Sequence, residues 1–391
     1  MTARRVLVYV QHLLGIGHFK RAVTLVDAMT RAGLEVTMVS GGHPVPALPV
    51  NAARFVQLPA AGAADLSFRA LLDAQGQPVD DAWKARRAAL LLEAFEQADP
   101  HALVIELFPF GRRQMRFELL PLLEAARTRS PVPVRVSSVR DVLGGGQKDP
   151  ARQDQMLQAF ERDFDQLLVH GDPGVVPFEA TFRHTAALGP RMHYTGYVVE
   201  PGKAIAGDGA LARDEVLVSA GGGAVGQQLL HTAILARPLS QQGQTRWRLL
   251  AGMNVSDYHL GSLRQLANQS GDDGITVERH RADFVGLLAN CRVSISQAGY
   301  NTTMETLRCG ARAVLVPFAG GAEIEQSLRA RLLAQRGWVE LLEEAELTPQ
   351  NLAWAVDRAA ARVFHQIAGI DLDGAHRSAQ LLAGWIEERF A

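Results

Sequence analysis

The sequence predicts an α/β protein of two doubly wound domains in tandem, and three observations predict it. Short β-branched apolar runs alternate with longer amphipathic stretches, the pattern of βαβ units on a parallel sheet. The series runs twice, and between the runs "VVEPGKAIAGDGALARDE" breaks periodicity with a Glu-Pro pair and three glycines. A length of 391 residues suits two to three typical domains, each with its own core, and two is the default.

The first series opens on Arg5–Val10 as a strand. A helix over Phe19–Arg31 follows, with Ala22, Val23, Leu25, Val26 and Met29 on one stripe, and then Leu34–Ser40 as a strand. Further strands are expected at Arg54–Leu58, Ala102–Leu107, Val132–Ser138 and Gln166–His170, with helices near Ala82–Ala98, Phe117–Arg129 and Ala151–Asp163. The stretch from Ala60 to Asp81, rich in Ala, Gly and Gln, reads as a loop excursion. The second series has strands at Val216–Ala220, Trp247–Ala251, Ile275–Arg279, Val293–Ser296 and Ala313–Val316. The expected boundaries are 1–198 for the first domain, 199–213 for a linker, 214–372 for the second domain and 373–391 for a terminal helix.

Composition narrows the function classes. A hydrophobic content of 47%, a charged content of 21% and a formal net charge of -1 describe a globular chain without the basic excess that attracts nucleic acid. Cys291 and Cys309 lie outside CxxC or Cys/His spacing, so they read as buried free thiols rather than a disulfide or a zinc site. The apolar run in "MTARRVLVYV" is too short for a signal core, and no stretch reaches the roughly 18 apolar residues of a membrane span. The expectation is a cytoplasmic protein, with peripheral contact at the inner face of the membrane as the alternative.

Ligands bind outside the carboxyl ends of such strands, so the loops there carry the chemistry. "QHLLGIGHFK" places Gly15, Gly17 and His18 at a helix start, where the helix dipole favours a neutral imidazole and hence a base. The competing reading of His18 is a solvated helix cap. In "VSAGGGAVGQQ", Gly221, Gly222 and Gly223 offer backbone amides to an anion such as a diphosphate. The spacing Gly221, Gly223, Gly226 also fits G-x-G-x-x-G, which keeps a nicotinamide dinucleotide in view, although no acid follows at the distance that binds a ribose.

"SQAGYNTTMETLRCG" brings Gly299 near a ligand. It sets Asn301, Thr302 and Thr303 at a helix start, with Glu305 expected on the first turn to accept from a vicinal diol; the bland reading is a Thr302/Glu305 capping box. "PFAGGAEIEQ" adds Gly320, Gly321, Glu323, Glu325 and Gln326. In "ELFPFGRRQMRFELL", Glu106 ends a strand, and Arg112, Arg113 and Arg116 follow Phe108 and Phe110. These arginines read as an anion clamp for an acceptor, a membrane contact or a solvated face. Arg140 and Asp141 end another strand, and Asp141 is the second candidate for the base.

This constellation resembles the GT-B glycosyltransferases, most of all the MurG type. The resemblance implies two Rossmann-like domains facing a central cleft that holds a nucleotide-diphosphate sugar, and a C-terminal helix, here "SAQLLAGWIEERFA", that crosses back to the first domain. Carried over by position, Glu305 would hold the ribose, Gly222 and Gly223 the diphosphate, and Gln326 the donor sugar or phosphates, while His280 to Phe284 would border the base. Gly17, Gly221, Gly299, Asn301 and Thr302 complete the donor set; Glu106, Arg112, Arg113 and Arg140 are the acceptor or anion candidates. The first loop lacks the family's fuller glycine run, and Glu325 stands where the family has Asp, so the acceptor is not carried over.

The expected activity is an inverting, metal-independent transfer from a nucleotide-diphosphate sugar, with a UDP-sugar as first choice, to an unidentified acceptor, an anionic one among the options. His18 or Asp141 removes the acceptor proton. No cofactor, no metal and no nucleic acid enter this reading. Hydrolysis or epimerisation of the nucleotide sugar on the same scaffold, and an NAD-dependent oxidoreductase, stay open as alternatives.

Overall fold

The structure, a computed structural model, describes residues 4–46, 48–63, 70–144, 149–200, 212–220, 226–252, 255–269, 273–281, 283–320, 324–362 and 369–391. The chain divides into two compact units, Met1–Glu200 with Asp371–Ala391, and Pro201–Ile370.

The first unit runs β1 (Arg5–Val10), α1 (Gly17–Arg31), β2 (Glu35–Ser40), β3 (Arg54–Gln57), β4 (Gly62–Ala63), β5 (Leu71–Leu72), α2 (Asp81–Ala98), β6 (Ala102–Glu106), α3 (Arg116–Arg127), β7 (Val134–Arg140), α4 (Pro150–Asp163), β8 (Gln166–His170), α5 (Thr185–Leu188) and β9 (Met192–Tyr194). Its seven-stranded sheet has the order β3-β2-β1-β6-β7-β8-β9, with all neighbouring strands parallel. Alternate residues of β1 face opposite layers. Leu7 and Tyr9 join a core with Leu91 and Phe95 of α2, Leu119 of α3 and Phe160 of α4. Val6, Val8 and Val10 join a second core with Leu25, Val26 and Met29 of α1.

That second layer is completed by the last helix of the chain, Gly374–Phe390, numbered α12 below. Its Ala375, Ala379, Leu382 and Ile386 recur at helical spacing and are buried against the α1 side of the sheet. Burying a side chain such as Leu382 contributes about 1.5–3 kcal/mol, so a charged residue there would lift this helix off the sheet.

The second unit runs β10 (Val216–Ser219), α6 (Gln227–Ala236), β11 (Trp247–Leu250), α7 (Asp257–Asn268), β12 (Ile275–Glu278), α8 (Phe284–Asn290), β13 (Val293–Ser296), α9 (Tyr300–Cys309), β14 (Ala313–Leu315), α10 (Glu325–Gln335), β15 (Glu340–Leu341) and α11 (Pro349–Ala361); α12 follows it in the chain. Its six-stranded sheet, β12-β11-β10-β13-β14-β15, is parallel throughout. Val216 and Val218 pack with Leu229 and Leu230 of α6, and Leu217 with Leu287 and Leu288 of α8. Two Rossmann-like sheets are thus present, as the alternating pattern predicts.

Where observed elements depart from the sequence reading, local chemistry accounts for it. The seventh strand starts at Val134 rather than Val132, because Pro131 and Pro133 supply no amide to the ladder. It runs on to Arg140, which is therefore a strand residue. The sixth strand stops at Glu106 because Leu107 takes a left-handed φ of 67°. The excursion from Ala60 to Asp81 contains the antiparallel pair β4 and β5. Cys291 and Cys309 are free and half-buried rather than fully buried.

Candidate functional site

In each sheet the strand order reverses beside the first strand of the unit, between β1 and β6 and between β10 and β13. That switch point is where an open α/β sheet leaves a crevice at its carboxyl edge.

In the first unit, α1 begins at Gly17, two residues before the expected start at Phe19, after Ile16, and no side chain caps it. His18 therefore lies inside the first turn and does not serve as a cap. Its Nδ1 lies 2.7 Å from Oε1 of Glu106, the residue that ends β6. Arg21, one turn along the same face, hydrogen bonds the same oxygen. The imidazole is 14% exposed and the carboxylate 3%.

Burial is the chief cause that pushes His18 down to about 3; the Glu106 charge opposes it, and the Arg140 and Arg112 guanidinium groups add to it. Burial, not the helix dipole, is thus the main reason the ring is neutral. For Glu106 burial raises the carboxyl, but His18, Arg21 and Arg112 outweigh it and hold the group well below the usual carboxylate range. A carboxylate only accepts, so the neutral imidazole carries its proton on Nδ1, and Nε2 keeps the lone pair.

Buried polar groups continue across the carboxyl edge. Ser138 Oγ lies 2.8 Å from His170 Nε2, and His170 Nδ1 lies 2.9 Å from Thr195 Oγ1. Beneath the β1–α1 loop, Arg87 forms a fully buried ion pair with Glu118 at 2.6 Å, donates to the carbonyls of Gly41 and Pro59, and reaches Gln11 Oε1 at 2.5 Å. Gln11 Nε2 donates in turn to the carbonyls of His12 and Ala61. This network ties together the chain segments that leave β1, β2 and β3. Removing one partner from such a buried pair costs about 3–5 kcal/mol, since it strands a charge.

The remaining candidates of this unit separate. Arg112, in a left-handed conformation with φ 57°, donates from Nε to the Gln11 carbonyl at 2.8 Å. With Arg140 it is close enough for its charge to act on His18. Arg113 is exposed. Asp141 is fully buried, accepts from the Val142 amide at 3.0 Å, and lies so near Gly171 that a Cβ there would come within 2.7 Å of its own Cβ.

In the second unit, Gly221, Gly222 and Gly223 lie outside the described residues. At the end of that loop Gly226 precedes α6 with φ 114°, and a Cβ there would meet the Ala220 Cβ at 2.8 Å, so glycine is required twice over. Ser219 and Ser296 are register partners at the ends of β10 and β13. Gly299 is the residue that precedes α9, without a side-chain cap, and a Cβ on it would meet no atom within 4 Å.

Since α9 starts at Tyr300, Asn301 and Thr302 occupy its first turn, and Glu305 falls on the second turn, 4% exposed. This corrects the first-turn placement of Glu305, and with Gly299 as the cap residue no Thr302/Glu305 capping box forms. Gln326 Oε1 accepts from the Phe318 amide at 3.1 Å. Glu325 pairs with Arg329 at 2.9 Å, and Arg329 donates to the Ala298 carbonyl at 3.1 Å, which fastens α10 to the β13–α9 loop. His280 is exposed after β12, and Phe284 opens α8, half-buried against Leu287 and Leu288. Among the described residues no group of three or more His, Cys, Asp and Glu side chains is placed to hold a metal ion.

Sequence reasoning passed over Arg21, Arg87 and Arg329. The spacing of His18 and Arg21, three apart on one helix, was the available signal for the first.

Two units, each with a parallel Rossmann-like sheet, are the components of the GT-B fold. Comparison with solved structures agrees. The glycotransferase of kitacinnamycin superposes with a TM-score of 0.62 at 17% identity, over 99% of this chain and 99% of that one. MurG of Acinetobacter baumannii gives 0.59 at 14%, over 97% and 99%. Within that fold, residues 218–363 match the glycosyltransferase family 28 C-terminal domain. A relative from Bordetella parapertussis, the UDP-N-acetylglucosamine–N-acetylmuramyl-(pentapeptide) pyrophosphoryl-undecaprenol N-acetylglucosamine transferase, is 28% identical over 204 residues, 52% of this chain and 53% of that protein. The chain spans about half the length of the curated relatives it matches. The MurG-like, GT-B resemblance read from the sequence is borne out in domain family and fold.

Proposed function

We propose that the protein is an inverting glycosyltransferase that moves a sugar from a nucleotide-diphosphate donor to an acceptor hydroxyl or amine, with His18 as general base and Glu106 as its positioning partner. The observation that carries this reading is the His18–Glu106 contact of 2.7 Å at the first switch point, in a chain whose second unit matches a glycosyltransferase domain. A neutral imidazole with its Nδ1 proton on a carboxylate offers Nε2 to the acceptor proton, and the Glu106 charge stabilises the imidazolium as it forms. The deep burial of Asp141 favours His18 over it.

The donor half of the proposal belongs to the second unit. The loop containing Gly221, Gly222 and Gly223 binds the diphosphate through amides, Glu305 accepts from the ribose diol, Gln326 meets the sugar or phosphates, and the His280–Phe284 segment borders the base. A UDP-sugar is the donor of choice because the Bordetella relative is named for one. Amide dipoles take up the charge of the departing diphosphate, so the reaction needs no metal. We place the protein in the cytoplasm, with peripheral membrane contact as an option; among the described residues no helix is long and apolar enough to cross a membrane.

The test is calorimetry with UDP, UDP-sugars and NAD, followed by turnover with an acceptor panel in EDTA. Binding of UDP, and sugar transfer that survives EDTA, is the expected result. Free sugar or an epimer formed without acceptor would replace transfer by hydrolysis or epimerisation. Loss in EDTA restored by magnesium would end the metal-free mechanism.

A further inference from the structure

Two side chains a turn apart on α1 meet one carboxylate oxygen. His18 Nδ1 is 2.7 Å from Glu106 Oε1. Arg21 Nη2 hydrogen bonds that same Oε1 and stands 3.4 Å from His18 Nδ1. Glu106 Oε2 is buried with no hydrogen-bond partner among the described residues. The two donors therefore do not divide the carboxylate between them; they share a single oxygen. The Arg21 side chain is 1% exposed, which keeps water from screening the triangle.

We infer that Arg21 is a positioning residue that sets how strongly Glu106 draws a proton onto His18, by claiming part of the charge on the one oxygen that both bind. The inference rests on the reading of His18 as the base. A carboxylate already satisfied by a guanidinium is a weaker counter-ion for imidazolium, and a guanidinium 3.4 Å from the ring repels a second ring proton. Both effects add to burial in keeping the ring neutral, against the Glu106 charge, which by itself draws the ring toward imidazolium. Arg112, after β6, and Arg140, ending β7, face His18 and act in the same direction through space. His170, ending β8, lies within the field of Arg21 and Glu106. Arg21 differs from Arg112 and Arg140 in hydrogen bonding Glu106 itself. A strut with a purely mechanical role would hold Glu106 without moving the titration of the pair.

The test is a pH titration of the full chain labelled with 15N-histidine, with the His18 resonance assigned through His18→Gln. In Arg21→Met the midpoint of His18 protonation rises by about one pH unit or more, a tenfold change in proton affinity. In Arg21→Lys it stays near wild type. In Arg21→Met/Glu106→Gln the rise disappears, because it runs through Glu106. Should Arg21→Met fail to fold, Arg21→Gln, neutral and able to hydrogen bond, carries the same expectation. An unchanged His18 titration in the folded neutral variant overturns the inference whatever its activity. Normal turnover of His18→Ala, a separate measurement, overturns the reading of the base and leaves the titration result standing.

Discussion

At the switch point of the first sheet stand charged and titratable side chains, nearly all buried: His18, Glu106 and Arg21, with His170 two strands away. At the equivalent point of the second sheet stand small polar and glycine positions, Ser219, Ser296, Gly226 and Gly299, with Glu305 one helical turn behind. The topology is shared and the chemistry is not. Buried charges suit proton handling, because low dielectric makes each neighbour count. Glycines and short hydroxyls suit close backbone approach to a ligand that brings its own charge.

The sharpest way to break this division is His18→Ala. If the first unit handles the proton, turnover falls by about 10²–10⁴-fold while donor affinity, which the proposal assigns to the second unit, holds. Kinetics and calorimetry on one preparation test both halves. Normal turnover at saturating substrates would erase the contrast between the units.

The same contrast predicts uneven acid stability. Burial is the first cause that pushes His12 down to about 4 and His18 and His170 down to about 3, from an ordinary value of 6.5, and all three lie in the first unit. A histidine whose folded pKa lies below its unfolded value contributes stability that is whole above the unfolded value and is lost as pH falls, because only the unfolded chain takes the proton. The depressed Glu106 acts in the same sense further down, through the carboxylate range. Each histidine removes about 1.4 kcal/mol per pH unit, or roughly 4 kcal/mol for the three at pH 5.5. Urea unfolding read through fluorinated tryptophans, Trp83 and Trp385 for the first unit and Trp247 for the second, should show the first unit losing more between pH 7 and 5.5. Equal losses would mean that burial of these rings is not distinctive.

Glu305→Ala probes the second unit. Two hydrogen bonds from a diol to a charged carboxylate contribute about 2–4 kcal/mol, present in ground and transition states alike. Donor affinity should therefore drop by that amount, with turnover at saturating donor far less affected. Unchanged affinity in calorimetry removes Glu305 from the donor site.

Much of this was legible because alternation of strands and helices fixes where loops fall, and His18 and Gly299 were found by their place in those loops. What was not legible needed the sheet order. The contact of Glu106 with His18 is one such feature, because β6 lies directly beside β1 although four strands separate them in sequence. Arg21 sits within an amphipathic helix, and a charge there reads as solvated. Only the neighbouring strand end shows that it faces inward. Glu325 and Arg329, four apart, look like a surface pair by spacing, yet both are buried because they fasten a loop from another strand. Local pattern gives the elements, and long-range pairing decides which charges meet.

The smallest effect distinguishes loop support from ligand contact at Gln326. Its Oε1 accepts from the Phe318 amide at 3.1 Å, so Gln326→Ala leaves that amide without its partner at a cost of about 1 kcal/mol in stability. Alanine alone does not tell a slackened loop from a lost ligand contact, since either lowers donor affinity. Gln326→Glu separates them. A carboxylate still accepts from Phe318, so the loop and the stability of the second unit should stay near wild type. The substitution removes the amide donor and places a negative charge beside the proposed site of the donor sugar and phosphates, where it repels them. Donor affinity should then fall in Gln326→Glu at unchanged melting temperature. If affinity holds in Gln326→Glu while Gln326→Ala weakens both affinity and stability, Gln326 is a loop anchor, and recognition in the second unit rests on its glycine loop and Glu305.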